Sequence, residues 1–114
     1  MHGLRELALG VLVALTVIEA PRNLVAIAYR PHVVLSWTMP SGIATGFEIE
    51  RALGDAEFTR LGTTRRDTTT YTDRSTLPGR AYRYRVRAVA GPARSAYSSE
   101  LMVIVTPKGH AGHR

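Results

Sequence analysis

Residues 77–98 read LPGRAYRYRVRAVAGPARSAYS, and within them Tyr82, Tyr84, Val86 and Ala88 alternate with Arg83, Arg85 and Arg87. A period of two marks a strand, because successive side chains leave opposite faces of the backbone. The apolar phase belongs to a buried face and the arginine phase to a wet one. Leu77, Pro78 and Gly79 before the run, and Gly91 and Pro92 after it, are turn signals that bound it.

Working outward, the same grammar recurs about every ten residues from Pro21 to Pro107. Residues 23–29 (NLVAIAY) and 32–39 (HVVLSWTM) read as the first two strands, with Val33, Leu35 and Trp37 on one face. PSGIATG, residues 40–46, is a loop by composition. FEIER follows at 47–51, with Phe47 and Ile49 inward and Glu48 and Glu50 outward. EFTRLGT (57–63), TTTYTD (68–73, carrying Tyr71), AYRYRVRAVA (81–90) and SELMVIV (99–105) complete seven strands. No stretch of this body has a helical period. Seven short strands in so few residues predict two packed antiparallel sheets in one all-β domain.

The chain has 114 residues, enough for one domain with its own core. It has no cysteine, which excludes a disulfide framework and a cysteine metal site. The formal charge is +6, carried mostly by arginine. That balance permits contact with nucleic acid, anionic polysaccharide or membrane headgroups and identifies none of them.

Residues 7–18 (LALGVLVALTVI) are apolar and uncharged. A membrane span takes about 20 residues, so this run is too short to cross a bilayer. Its length suits the apolar region of an export signal, although a cut after Ala20 would leave Ile18 and Pro21 poorly placed around the bond. A second reading starts from the likeness of LTVIEAP (15–21) to LMVIVTP (101–107), which makes the segment the last strand of a preceding repeat. Both readings stay open. The division expected is an apolar segment over 1–20, a domain over 21–107 and a tail over 108–114.

Six stretches in order, APRNL, VVLSW, GFEIER, TTTYTD, LPGRAYRYRVRAV and SAYSSELMVIVTP, resemble a fibronectin type III domain over roughly residues 20–107. The resemblance implies an immunoglobulin-like seven-stranded antiparallel β-sandwich, of the kind found in bacterial secreted enzymes and surface proteins. It implies that Trp37 is the core tryptophan of the second strand. It also implies that the Tyr82 hydroxyl caps a corner near Leu77. Tyr84, Tyr71, Leu35 and Ile49 complete the expected structural core, together with Leu77.

The resemblance makes the third and sixth strands neighbours, so Glu48 and Glu50 share the outer face with Arg83, Arg85 and Arg87. The stripe is then either a ladder of surface ion pairs or an anion-binding face, to which Arg65, Arg66, Arg80 and Arg94 could add from loops. A nucleic-acid surface would want exposed aromatics between the arginines, and here they alternate inward. A second surface is apolar on the outward phase. It comprises Val25, Ile27 and Tyr29, with Val34 beside them, and Leu101, Val103 and Val105 if Met102 and Ile104 face inward as the family alignment suggests.

No catalytic constellation is present. His110 and His113 form only a weak metal-ligand pair in a glycine-rich tail, and the hydroxyls of TTRRDTTT lack a triad's partners. No phosphate loop, cofactor motif or metal site is expected. The resemblance and this lack of chemistry imply a non-catalytic accessory module, outside the cell or on its surface. Its partner would be a neighbouring domain or another protein, and the alternative is an anionic polymer or polysaccharide on the arginine face.

Overall fold

The computed structural model describes residues 18–29, 31–40 and 42–107. The expectations for residues 1–17, and for the tail with His110 and His113, lie outside these. Among the described residues eight strands form, all antiparallel in their pairings: β1 Arg22–Tyr29, β2 His32–Thr38, β3 Gly46–Leu53, β4 Thr59–Arg65, β5 Thr70–Asp73, β6 Ala81–Ala90, β7 Ala93–Arg94 and β8 Leu101–Ile104. Three of them make one sheet in the order β1-β2-β5. The other five make the second, with β4-β3-β6-β7 in line and β8 also on β6. The eighth strand is the two-residue β7, which the sequence reading took as loop.

The core lies between the sheets. Val33, Leu35 and Trp37 enter it from β2, Phe47 and Ile49 from β3, and Tyr82, Tyr84, Val86 and Ala88 from β6. All are buried, each large side chain removing apolar surface worth about 1.5–3 kcal/mol from water. Trp37 meets Phe47 edge to face at 5.4 Å. Tyr71 packs against this cluster half-buried, and its hydroxyl donates to the Leu61 carbonyl at 3.2 Å. Gly62 makes room for that ring: a Cβ there would lie 2.5 Å from the Tyr71 hydroxyl.

Two expectations fail. The Leu77 side chain is not in the core and is 55% exposed. Its contribution is its backbone N–H, which donates to the Tyr82 hydroxyl at 2.8 Å and so makes the corner. The phase of the last strand is also reversed. Met102 and Ile104 face solvent, while Leu101 and Val103 pack on the core and Val105 is fully buried. The register shows why: Tyr82 pairs with Val103 and Tyr84 with Leu101, and directly opposed residues share a face. Since ELMVIV is apolar in both phases, only this pairing sets its orientation.

The expectation for β1 holds, with Val25, Ile27 and Tyr29 exposed on the outer face. Opposite them on β2 stand Ser36, Val34 and His32, and beyond lie Thr72 and Thr70 of β5. These eight residues include no Asp, Glu, Lys or Arg.

Candidate functional site

Alternation places Arg83, Arg85 and Arg87 on the outer face of the five-stranded sheet. The β3–β6 register sets Arg87 opposite Glu48 and Arg85 opposite Glu50. Both rungs close as ion pairs, Arg87 Nε to Glu48 Oε1 at 2.8 Å and Arg85 Nη2 to Glu50 Oε1 at 2.7 Å. Arg83 donates to the Gly54 and Ala56 carbonyls, both at 2.8 Å, and reaches Glu100 at 3.2 Å.

Two rings that the sequence reading overlooked complete the ladder. Phe58 lies beneath Arg83 and Arg85, whose guanidinium carbons stand 4.7 and 4.1 Å from its centre. Tyr97 lies beneath Arg85 and Arg87 at 3.7 and 4.7 Å, and its hydroxyl donates to Glu50 Oε2 at 2.8 Å. The order along the face is Arg83, Phe58, Arg85, Tyr97, Arg87. Burial, and then the bond to Glu50, push the Tyr97 phenol above its usual range.

Glu48 is the hub of the face. Its side chain is 5% exposed, and besides Arg87 it holds Arg60 at 2.8 Å and Arg94 at 3.1 Å, both through Oε2. Arg60 reaches it because the strand pairing shifts between Ile49 and Glu50, leaving Arg60 opposite Glu50 and one step from Glu48. Burial alone would raise the Glu48 pKa. The bond from Arg87 and the charges of Arg60, Arg87 and Arg94 outweigh it and hold the carboxyl below its usual range. Three guanidiniums on one carboxylate leave positive charge uncompensated and N–H donors to spare, since each guanidinium carries five.

Of the residues singled out from sequence, Arg83, Arg85, Arg87 and Arg94 come together on this face. Arg80 lies at the far end of the sandwich, beside the Leu77 corner, and is exposed. Arg65 joins those four, opposite Gly46, and Arg60, Phe58, Tyr97 and Glu100 join the face without having been singled out as its members. Six arginines, at 60, 65, 83, 85, 87 and 94, stand against three glutamates, at 48, 50 and 100, so the surplus exceeds the three-to-two balance read from the strand alone.

A second polar group sits inside the sandwich. Asp73, 1% exposed, accepts bonds from Arg51 at 2.9 Å and from the Tyr84 hydroxyl at 2.7 Å. The Ser75 N–H and hydroxyl also donate to it. Burial raises its pKa, but the bonds from Tyr84, Ser75 and Arg51 win and lower it. Burial and the bond to Asp73 drive the Tyr84 phenol far above the ordinary range. Every member has a partner in this group, which locks the two sheets together at one end. Among the described residues no three His, Cys, Asp or Glu side chains group as a metal site, and no helix is long and apolar enough to cross a membrane.

Comparison with curated proteins finds no match. Among solved structures, domains of titin are similar at 26% identity and a TM-score of 0.70, covering 80% of this chain and 33% of theirs. An Fn3-like protein from Clostridium thermocellum is similar at 23% identity and 0.67, covering 83% of this chain and all of its own. A β-1,2-glucanase from Parabacteroides distasonis is similar at 24% identity and 0.72, covering 82% of this chain and 14% of the enzyme. The family profile for the fibronectin type III domain matches residues 19–103, three-quarters of the sequence. With the two-sheet topology and the Tyr82 corner in place, the chain belongs to the fibronectin type III family.

Proposed function

We propose that the chain is a non-catalytic module of a secreted or surface protein that spaces neighbouring domains or contacts another protein. The observation that carries this reading is where the strands begin and end. The β1–β2 turn is tied to the β5–β6 loop by the bond from the Thr76 hydroxyl to the Pro31 carbonyl. That loop in turn holds the end of β8, through Gly79 N–H to the Val105 carbonyl at 2.6 Å and Val105 N–H to the Arg80 carbonyl at 3.0 Å. So β1 finishes and β8 finishes at the same end, and β1 starts at the other. A chain entering before Arg22 and leaving after Ile104 crosses the length of the sandwich. An eight-residue strand spans about 26 Å, which would hold flanking domains apart. The part of the β1–β2–β5 face around Val25, Ile27, Tyr29 and Val34 offers the contact surface.

A fusion between donor and acceptor fluorescent proteins tests the spacing role. The expected result is one low-transfer state, lost on unfolding in urea. Transfer equal to that of a short flexible linker would overturn it. Export is tested by the intact mass of the exported species. A chain starting near Pro21 supports it, and full-length protein confined to the cell counts against it.

A second reading has its own observation in the convergence of Arg60, Arg87 and Arg94 on Glu48. It makes the outer face a site for an anionic polymer. Retention on an anionic matrix that falls steeply with salt supports this reading, and salt-independent passage rejects it.

A further inference from the structure

The geometry points to the Gly46 end of the five-stranded sheet, rather than the Arg83–Arg85 stretch, as the place where an anionic polysaccharide binds. The inference rests on the second reading above and locates its site.

Arg83 and Arg85 are already committed. The first is held by two carbonyls and Glu100, and the second by two bonds to Glu50 between two rings. The opposite end differs. One rung of the sheet runs Arg65, Gly46, Val89, Arg94 across four strands. Gly46 is buried with the half-buried Val89 beside it, so the middle of that rung is a short uncharged floor between two arginines that stand about 14 Å apart by strand spacing. The next rung supplies Arg87, and the shifted pairing delivers Arg60. Beside the rung lies a cleft of about 390 Å³ lined by Thr45, Arg65, Arg66 and Asp67. Arg65 and Arg66 make no ion pair among the described residues. The acidic groups here are the saturated Glu48 and the single Asp67.

Such a bed, with an uncharged floor and spare guanidinium donors at several points, matches a linear chain carrying oxyanions at intervals, each taken by an arginine fork. Carboxylate and sulfate share that chemistry. Nucleic acid fits less well, because both rings on the face are covered by guanidiniums and have no free face for a base.

The test is binding of the full chain to immobilised dextran sulfate and polygalacturonate, with an oligo-dT strand as competitor. Two variants remove the same charge: R65Q/R94Q at the proposed site and R74Q/R80Q at the far end. All four arginines are exposed, and circular dichroism and melting check that each variant folds. R65Q/R94Q should weaken binding roughly tenfold or more, and R74Q/R80Q less than about twofold. The preferred polymer then separates sulfate from carboxylate recognition. Equal losses in the two variants would reject the location while leaving the anion reading intact. Oligo-dT displacing either polysaccharide at lower concentration than the free polysaccharide would reject the ligand class. Failure of the unmodified chain to bind any of the three in low salt would reject the anion reading itself.

Discussion

The Tyr84 hydroxyl, carried on β6 in one sheet, donates at 2.7 Å to Asp73 at the end of β5 in the other. Removing it by Tyr84→Phe leaves Asp73 with Arg51 and Ser75 and should cost about 1–2 kcal/mol. Asp73→Ala strands Arg51 and the buried phenol together and should cost about 3–5 kcal/mol. Urea titration of the three proteins gives both values. The opposite order would show that the aspartate is not the hub.

Acid stability follows from the same carboxylate and from Glu48. Both are held below their ordinary values of 3.8 and 4.5. A depressed group stabilises the fold above its unfolded-state pKa and loses that contribution as pH falls through the folded-state pKa. Unfolding free energy should therefore be flat near neutrality and fall below about pH 4.5, with a shallower fall in Asp73→Asn. Tyr84 acts in the opposite sense. Its raised pKa makes the contribution complete below the ordinary phenol value of 10.0 and lost only at higher pH. Melting temperature against pH, for the parent and Asp73→Asn, reads both limbs. An acid limb of equal slope in the two would remove Asp73 from the account.

Gly62 and Tyr71 should be strongly coupled. Gly62→Ala drives a methyl into the Tyr71 ring and should cost about 1–3 kcal/mol. In a Tyr71→Ala background the same change should cost far less. A double-mutant cycle measures the difference, and additivity would contradict the contact.

The corner predicts an asymmetry between its two residues. Tyr82→Phe deletes the acceptor for the Leu77 N–H and should cost about 1 kcal/mol. Leu77→Ser should cost less, because that side chain is mostly in water. Denaturant midpoints decide it.

Arg85 is sandwiched between Phe58 and Tyr97 while it binds Glu50. Lysine keeps the charge but loses the planar stacking and the pair of hydrogen bonds from Nε and Nη2 to Glu50 Oε1. Arg85→Lys should thus destabilise by about 1 kcal/mol. A neutral outcome would mean that the stacking adds nothing beyond charge.

The parts of this fold that could be read in advance are those where one phase is apolar and the other is not. The tyrosine–arginine alternation of β6 fixed its inward face, and Glu48 and Glu50 of β3 took the predicted outer face opposite the arginines. Where both phases are apolar, as in residues 101–105, pattern carries no orientation and the pairing with Tyr82 and Tyr84 decides. The rings of the ladder were hidden for another reason. Phe58 and Tyr97 come from loops far from Arg85 in sequence, and no period connects them. Arg60 was hidden by the shift at Ile49 and Glu50, which a strict alternation does not anticipate. The Leu77 error confused a residue's backbone role with its side chain's.

Because β1 and β8 run in the same direction and end at the same end of the sandwich, a pull on the two flanks acts along the strands. The hydrogen bonds of the β1–β2 and β6–β8 ladders lie across that line, so they are loaded in shear, all together rather than one by one. The β8 ladder has four paired residues against six for β1, and is extended by the bonds of Val105. Under tension, then, the mechanical limit of this domain lies at its last strand, where a fully buried Val105 anchors a ribbon that is otherwise half in water.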